Sequence, residues 1–220
     1  REARRLAEEQ RQVRFNFISV LSHELKAPIN AIEGYLKILQ PDEPEDRRPM
    51  IDRSLVRLDG MRKLIFDLLD LTRIESGQKK RELAPVDLGE LAAQALDGVR
   101  ADAEARRIAL RLVAAGDLVM HGDRGELEII LNNLVSNAVK YNRDDGEVEV
   151  ALQGDAELLT IAVRDTGIGI SEEEQAKLFG EFSRIKNAQT RNILGSGLGL
   201  SIARRLARLN GGDASVTSAA

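Results

Sequence analysis

The residues best suited to catalysis lie in one predicted helix, Phe17 to Gly34, which contains a histidine followed directly by a glutamate. Apolar residues recur there at helical spacing, so the helix is predicted to bury one side. His23 lies roughly 150° around the helix from the centre of that apolar side, at about 100° per residue. Its imidazole is therefore available for chemistry, and the carboxylate of Glu24 is placed to orient or deprotonate it. Taken alone, these residues fit an ordinary surface histidine better.

A second candidate group consists of two carboxamides and a lysine on a predicted helix at about 124–140. Asn133 and Asn137 are four residues apart and Lys140 is three further on, so all three share one helix flank. Carboxamide oxygens suit a hard cation such as Mg²⁺, and a lysine suits a phosphate. An exposed polar face is the alternative, but asparagines in mid-helix are poor helix formers and need a reason.

Two glycine-rich stretches form the third group. DTGIGI, Asp165 to Ile170, follows a predicted strand, where a carboxylate can accept a hydrogen bond from the amine of a base. Its glycines allow close backbone approach. GSGLGL, Gly195 to Leu200, opens a predicted helix, where backbone amides form an anion site. Neither stretch is a Walker A motif or a dinucleotide fingerprint, and each alone is compatible with a simple turn.

The composition excludes several classes of site. The chain has no cysteine, hence no disulfide framework or thiolate nucleophile, and only two histidines, so a metal would be held by oxygen ligands. The sequence HELKA lacks the second histidine of a zinc-protease motif. The net charge is −4 with interleaved signs, which predicts no nucleic-acid surface. Without a long apolar run or an initial methionine, the chain is expected to be a membrane-free piece of a longer protein.

Two long helices must position the histidine. Residues 1–40 are predicted to form one helix that begins as a coiled-coil segment, and about 45–75 a second, with a proline-rich turn between them. Each helix carries an apolar stripe wider than one partner can cover, so two such hairpins are expected to pair as a dimeric four-helix bundle. The stripe of the second helix consists of Ile51, Leu55, Leu58, Met61, Leu64, Ile65, Leu68 and Leu71. The periodicity ends at residues 76–80, where we place the domain boundary.

The second half is predicted to be a two-layer α/β sandwich, with a mixed sheet under helices. Helices are expected at about 88–106, 124–140 and 198–209. The predicted strands are Glu82–Ala84, Ile108–Leu112, Leu118–Met120, Glu147–Leu152 and Leu158–Asp165.

In this order and spacing, the motifs closely resemble those of the sensor histidine kinases of two-component systems. SHELKAP is similar to the H-box of that family, NNLVSNAVKYN to its N-box, DTGIGI to its G1 box, LFGEFSRI to its F-box and GSGLGL to its G2 box. The resemblance extends from about Arg14 to Val216. Related ATPases of the same GHKL-type fold share the glycine-rich boxes, and the H-box alone separates the kinases from them.

The resemblance implies a role for each matching residue. His23 becomes the phospho-acceptor and Glu24 the base that assists its imidazole, while Asn137 binds Mg²⁺ and Asp165 reads adenine. The other positions implied to lie around ATP are Asn133, Lys140, Tyr141, Gly167, Gly169, Arg184, Gly195, Gly197, Leu198 and Gly199, with Phe179 and Phe182 packing a mobile lid. His121 matches no functional position and is expected to lie at the surface.

The resemblance also implies a division of labour. Residues 1–76 would form the dimerisation and phospho-acceptor hairpin, and residues 77–220 the ATP-binding catalytic domain, with its last strand missing from the chain. The implied function is autophosphorylation of His23 from Mg-ATP, followed by transfer to an aspartate of a response regulator receiver domain. The implied partners are a second copy of the chain and that regulator, in the cytoplasm, whether the full-length protein is membrane-bound or soluble.

Two other functions stay open at this point. One is a nucleotide-dependent conformational ATPase of the same fold, against which the His23–Glu24 pair argues. The other is a dimeric signalling scaffold with weak kinase activity, against which the intact Asn137 and Asp165 argue. One departure from the family pattern bears on activity: Ala27 stands where the family usually has Thr or Asn. Since alanine cannot hold a water molecule, weak phosphatase activity toward the regulator is expected.

Overall fold

The structure, a computed structural model, describes residues 26, 29–30, 32–38, 47–76, 81–155, 157–180, 183, 185, 190, 193 and 197–218. It divides the chain into two compact units. One contains residues 1–80 and 194–198, and the other contains residues 81–193 and 199–220. The predicted His23–Glu24 pair and the proline-rich turn between the two helices lie outside the described residues.

The described part of the first unit contains two helices that pack together. Helix α1 is described at residues 26, 29–30 and 32–38, and helix α2 runs over Arg48–Ser76, close to the predicted 45–75. The ammonium nitrogen of Lys26 lies 4.7 Å from the centre of the Phe66 ring, a cation–π contact between the helices. Arg62 Nη1 lies 3.8 Å from Glu33 Oε2, and the side chain of Ile29 is buried. The described part of this unit is therefore a helical pair, as predicted.

This helical pair leaves much apolar surface uncovered. Met61 and Leu64, both members of the predicted α2 stripe, are exposed. Among the described residues of the two helices, the exposed large apolar side chains are Ile32, Tyr35, Ile38, Met50, Val56, Met61, Leu64 and Phe66. Charged residues interrupt this surface, and none of the helices that the structure describes is long and apolar enough to cross a membrane.

The second unit alternates strands and helices, as its sequence pattern predicts. The five strands are β1 (Leu83–Asp87), β2 (Ala109–Gly116), β3 (Val119–Asp123), β4 (Glu147–Gly154) and β5 (Leu159–Asp165). The helices are α3 (Leu88–Gly98), α4 (Arg100–Ala105), α5 (Arg124–Lys140), α6 (Glu172–Gln175) and α7 (Gly199–Leu209). Every predicted strand is present, although β2 extends four residues beyond the predicted end at Leu112.

One predicted helix is divided in two. The sequence predicts a single helix at about 88–106, whereas the structure interrupts it at Val99, whose φ is −108° and ψ is 2°. The Val99 N–H bonds the carbonyl of Leu96, three residues back, at 3.2 Å, which is a tightened last turn. Gly98, the last residue of α3, is a poor helix former, and β-branched Val99 adds to the local preference for a break.

The strands form two sheets rather than the one mixed sheet predicted. β1 pairs antiparallel with β3, and Pro85 of β1 lies opposite the exposed His121. The second sheet has the order β2-β4-β5, with β2 parallel and β5 antiparallel to β4. In the register of the antiparallel pair, Val148 lies opposite Asp165. Local β-propensity predicts strands but carries no information on which strands pair, so the division was not visible in the sequence.

Helix α5 is the centre of this unit. It packs against α3 and α7 and onto strands β4 and β5. Its buried apolar residues include Leu127, Ile130, Leu131, Val135, Ala138 and Val139. Asp123 caps its start: one carboxylate oxygen accepts from Glu126 N at 3.1 Å, and the other accepts from Glu82 N at 3.1 Å. Because a side-chain acceptor satisfies a free amide of the first turn, the cap fixes where α5 begins.

A polar network around the buried Glu126 joins the start of the unit to the first turn of α5 and to the end of α7. Arg81 donates to both carboxylate oxygens of Glu126, the shortest bond being 2.7 Å from Nη2 to Oε2. The same guanidinium donates to Asn210 Oδ1 at 2.7 Å and to the Leu209 carbonyl at 3.2 Å. Glu126 is only 4% exposed, so this network supplies the partner that a buried charge requires. It holds both helices that flank the candidate site.

Candidate active site

The structure places the described site residues on two helices and one loop. Asn133, Asn137 and Lys140 lie on α5, and Tyr141 follows directly. Asp165 is the last residue of β5, with Gly167 and Gly169 in the loop after it, and Gly199 is the first residue of α7. Gly197 and Leu198 immediately precede α7. His23, Glu24, Arg184 and Gly195, and also Ala27 and Phe182, lie outside the described residues.

The two candidate asparagines on α5, Asn133 and Asn137, differ in environment. Asn133 is buried, and its Nδ2 donates to the Ile129 carbonyl of its own helix at 2.9 Å. Asn137, one turn later, is half-buried, and within the described part of the chain its side chain makes no hydrogen bond. Asn137 therefore offers a carboxamide to a ligand, whereas Asn133 is part of the packing.

Asn133 packs against the start of α7. A Cβ atom built at Gly199 would lie 2.4 Å from Asn133 Oδ1, which is far inside van der Waals contact. Only a residue without a side chain allows this approach. The last glycine of GSGLGL thus brings the N-terminus of an 11-residue helix beside the middle of α5. Free amides at such a helix start attract negatively charged groups.

The DTGIGI loop is held against the end of α5. Asp165 Oδ1 accepts from Gly167 N at 2.8 Å, and Ile168 N donates to the Tyr141 carbonyl at 3.2 Å. A Cβ at Gly167 would lie 2.4 Å from that same carbonyl, so glycine is required for the contact. The Asp165 carboxylate is exposed, and no hydrogen bond to its second oxygen is found among the described residues. It can accept a hydrogen bond from a ligand.

The C-terminal end of α5 carries the remaining candidates. Lys140 Nζ lies 5.4 Å from the centre of the Tyr141 ring, and both side chains are half-buried. Arg106 donates from Nη1 to the Val139 carbonyl at 2.8 Å and from Nη2 to the Asn142 carbonyl at 2.5 Å. A cation at the carbonyl end of a helix is favourable for the helix dipole. This contact fixes the segment from which Lys140 and Tyr141 project.

Sequence reasoning missed Asn142. It is 4% exposed and bonds three groups from neighbouring segments, one of them in the DTGIGI loop. The available signal was a fourth asparagine just after a helix that already held three, in NNLVSNAVKYN. Its main partners are the backbone carbonyl of Glu147 and the hydroxyl of Thr166, and these contacts are visible only in the folded structure.

The residues present fit a magnesium nucleotide. Within the part of the chain that the structure describes, no group of three or more His, Cys, Asp or Glu side chains could hold a metal. A half-buried carboxamide at Asn137 is a hard oxygen donor of the kind Mg²⁺ accepts when phosphates and water supply the other ligands. The site therefore combines a carboxylate that can bind the amine of a base, a carboxamide that can bind Mg²⁺, a lysine that can bind a phosphate, and a helix start near Asn133.

Two family models match the chain, one in each half. The model described as "His Kinase A (phospho-acceptor) domain" matches residues 13–77. The model described as "Histidine kinase-, DNA gyrase B-, and HSP90-like ATPase" matches residues 122–220, the segment that contains every described site residue. An ATPase domain of this kind binds ATP, which agrees with the donors found here.

Similar proteins are sensor kinases. The chain is 36% identical over 234 residues to the virulence sensor protein BvgS of Bordetella pertussis, covering 99% of this chain and 18% of that protein. It is 34% identical to the sensor protein GacS of Pseudomonas syringae, over 98% of this chain and 25% of GacS. Sensor histidine kinase RcsC of Escherichia coli is 34% identical, over 96% of this chain and 23% of RcsC. The chain thus spans a quarter or less of these relatives.

Solved structures agree with the fold. Full-length ShkA in complex with AMPPNP matches with a TM-score of 0.71 and 27% identity, over 89% of this chain and 41% of that one. The catalytic domain of histidine kinase ThkA matches with a TM-score of 0.52 and 25% identity, over 59% of this chain and 83% of that one. The first match spans both units of the chain, and the second is to a catalytic domain alone.

Proposed function

Because the chain belongs to the sensor histidine kinases of two-component systems, we propose that it is a catalytic core that phosphorylates His23 from Mg-ATP. The phosphoryl group then passes to an aspartate of a response regulator receiver domain. The observation that carries the proposal is the order of two family matches in one chain, a phospho-acceptor domain at 13–77 before an ATPase domain at 122–220. The predicted family, fold class and class of enzyme are confirmed.

The assignment of roles around ATP rests on the geometry of the second unit. The exposed Asp165 carboxylate would accept a hydrogen bond from the adenine amine beside Tyr141 and Gly167. Lys140, the start of α7, and the undescribed Arg184 would compensate phosphate charge. Mg²⁺ would be held by Asn137, where it would neutralise charge on the phosphates. Gly169, Gly195, Gly197 and Leu198 complete the proposed nucleotide-binding residues.

Phosphoryl transfer to His23 forms one bond to phosphorus and breaks another. One nitrogen of the neutral imidazole attacks the γ-phosphorus, and an N–P bond forms as the bond to the bridging oxygen of the β-phosphate breaks. ADP leaves with that electron pair, while the proton on the other ring nitrogen passes to Glu24. In the second transfer the N–P bond breaks, a carboxylate oxygen of the regulator takes the phosphoryl group, and the imidazole recovers a proton.

The two functions of the proposed kinase core are assigned to separate parts of the chain. We assign dimerisation and phosphoryl acceptance to residues 1–76, and ATP binding to residues 77–220. The exposed apolar side chains on α1 and α2 support a homodimer, since so many large apolar side chains on two short stretches of surface mark an interaction site. A cytoplasmic location, and the expected lack of membrane and nucleic-acid contacts, stay predictions.

The experiment is incubation with Mg-ATP labelled at the γ-phosphate. The wild-type chain should acquire label that acid removes and base does not, as expected for a phosphoramidate. His23→Gln should lose all label while still binding ATP, whereas Asn137→Ala should lose label because it binds Mg-ATP weakly. Asn132→Ala provides the matched control, since Asn132 is an exposed asparagine on the same helix.

Two outcomes would contradict the proposal. Label that persists in His23→Gln would mean that another residue accepts the phosphate. ATP hydrolysis without any protein-bound label would instead indicate a conformational ATPase of the same fold.

A further inference from the structure

The end of α5 and the loop after β5 are joined by side chains that lie outside the proposed ATP contacts. Asn142 Nδ2 donates to the Glu147 carbonyl at 2.9 Å. Asn142 Oδ1 accepts from Arg143 N at 2.9 Å and from Thr166 Oγ1 at 3.2 Å. All polar atoms of this buried amide side chain are therefore engaged, and one of the bonds crosses directly into the DTGIGI loop.

Thr166 closes the connection from the other side. Its hydroxyl accepts from Glu147 N at 2.9 Å, and its own N–H donates to the Glu147 carbonyl at 3.2 Å. That carbonyl consequently receives two bonds, one from Asn142 and one from Thr166. The hydroxyl can make both of its bonds only because Asn142 presents an acceptor and residue 147 a donor.

The two side chains approach each other across Gly146. A Cβ built there would lie 2.3 Å from Asn142 Oδ1 and 2.8 Å from Thr166 Oγ1. We refer to the hydrogen bond between the Asn142 and Thr166 side chains as the bridge, and Gly146 beside it is buried. Position 146 therefore has no space for a side chain while the Asn142–Thr166 bond exists.

The bridge bears on Asp165 because Thr166 is its chain neighbour. Asp165 Oδ1 is bound to Gly167 N, and Ile168 N is bound to the Tyr141 carbonyl, so the loop is held on both sides of Thr166. Within β5 the position of Asp165 is set by its register opposite Val148. Beyond the strand, the Asn142–Thr166 bond is the side-chain connection that ties this loop to α5.

We propose that Asn142 and Thr166 are positioning residues that set the base specificity of the nucleotide site, by fixing the Asp165 carboxylate relative to α5. The inference rests on the proposed function, in which Asp165 reads adenine. A carboxylate that is held in place discriminates an amine donor from the carbonyl oxygen that guanine presents at the corresponding position. A carboxylate that can move tolerates both, so discrimination falls when the bridge is lost.

The test measures base discrimination at equilibrium, without turnover. AMPPNP and GMPPNP, each with Mg²⁺, are titrated calorimetrically into the full chain and its variants, and the ratio of the two affinities is compared. Partial unfolding of a variant reduces the fraction of protein that can bind, which lowers both apparent affinities by the same factor. A purely structural role therefore leaves the ratio unchanged. Thermal unfolding of each variant is recorded in parallel.

Three substitutions break the bridge in different ways. Asn142→Ala removes the amide, Thr166→Val removes the hydroxyl at nearly constant shape, and Gly146→Ala places a methyl group between the partners. Each should lower the AMPPNP:GMPPNP affinity ratio by about 3- to 10-fold, the loss expected for one or two hydrogen bonds. The Asn142→Ala/Thr166→Val double variant should lose less than the sum of the two single effects, because both substitutions remove the Asn142–Thr166 bond.

Matched controls separate the bridge from the substitutions themselves. Thr166→Ser keeps the hydroxyl and should retain most of the ratio. Thr160→Val makes the same replacement at an exposed position of β5, and Asn132→Ala the same replacement on α5, and both should keep the wild-type ratio. If Asn142→Ala does not fold, Thr166→Val against Thr166→Ser decides.

Asp165→Asn, measured in the same series, distinguishes two kinds of failure. If Asp165→Asn lowers the ratio and the bridge variants do not, Asn142 and Thr166 are only structural and the inference is overturned. If Asp165→Asn itself leaves the ratio unchanged, the adenine assignment of the proposed function is overturned, and the inference with it. A reduced ratio in Asp165→Asn and in all bridge variants supports both.

Discussion

Helices α2 and α5 both carry apolar stripes, yet they bury them to very different extents. On α5, Leu127 and Leu131 are almost completely inaccessible to solvent. On α2, Met61 and Leu64 of the predicted stripe remain exposed, as does Val56. The α/β unit therefore completes its core within one copy of the chain, whereas the described helical pair does not.

The two units therefore depend on association in different ways. Burying apolar surface is the main driving force for folding and for most assembly. A unit that has already buried its stripe gains little from a partner, whereas a helical pair with exposed Met, Leu, Val and Ile side chains gains much. This contrast supports the predicted dimeric four-helix bundle, and three substitutions test it.

The largest effect is expected from Leu131→Ala in α5. Leu131 is fully buried, so the truncation leaves a cavity and should reduce the free energy of unfolding of the α/β unit by about 2–5 kcal/mol. Urea unfolding followed by circular dichroism at two protein concentrations measures the change. The loss should be the same at both concentrations, and Leu158→Ala, at a mostly exposed position, should change stability by no more than about 0.5 kcal/mol. A loss that grew on dilution would show that this core also depends on assembly.

A smaller effect is expected from Met61→Ala in α2. Met61 is 52% exposed in the single chain, and in a symmetric dimer its loss would count twice. The dimer dissociation constant should rise at least about tenfold by sedimentation equilibrium. Lys63→Ala, at an exposed polar position on the same helix, is the control and should leave the constant unchanged. A wild-type chain that sediments as a stable monomer at micromolar concentration would contradict the dimer altogether.

The smallest effect concerns the surface of the α/β unit. Asp213 accepts hydrogen bonds from Arg204, Arg208 and Ala214 N, which hold the pKa of its carboxyl well below the usual range, with Arg204 the largest cause. A carboxyl with a lowered pKa in the folded state stabilises the fold above its unfolded pKa of about 4, and this contribution disappears as the pH falls through the folded value. Asp213→Asn should therefore lower the melting temperature slightly at pH 7, and the difference from wild type should shrink below about pH 4. A difference that persisted undiminished in acid would mean that packing, not charge, is responsible.

Much of the fold was predictable because its signals are local. The N-box helix is present over the predicted residues, and all five strands lie where β-prone runs occur, because periodicity and propensity act within a few residues. The break at Val99 depends on the weak helix propensity of Gly98 and Val99, and the spacing of apolar residues does not indicate whether that is enough to interrupt a helix. The division into two sheets depends on pairing between distant segments, which no local pattern encodes.

The candidate site shows the same limit. Motif resemblance named Asn137 and Asp165, and the structure leaves both with acceptors for a ligand, although their roles stay predictions. It also named Asn133 as a residue near the phosphates, without indicating that the side chain is packed under Gly199. Asn142 was missed because its partner Thr166 is 24 residues away along the chain.

The contact between Gly199 and Asn133 has a consequence for how this chain can vary. Because a Cβ at 199 would meet Asn133 Oδ1 at 2.4 Å, an alanine at 199 is compatible with the observed packing only when residue 133 is shortened. Shortening residue 133 alone would leave a gap beside Gly199, and an alanine at position 199 would fill that gap. The two positions therefore form a compensating pair, which a library that varies them one at a time would record as two intolerant sites.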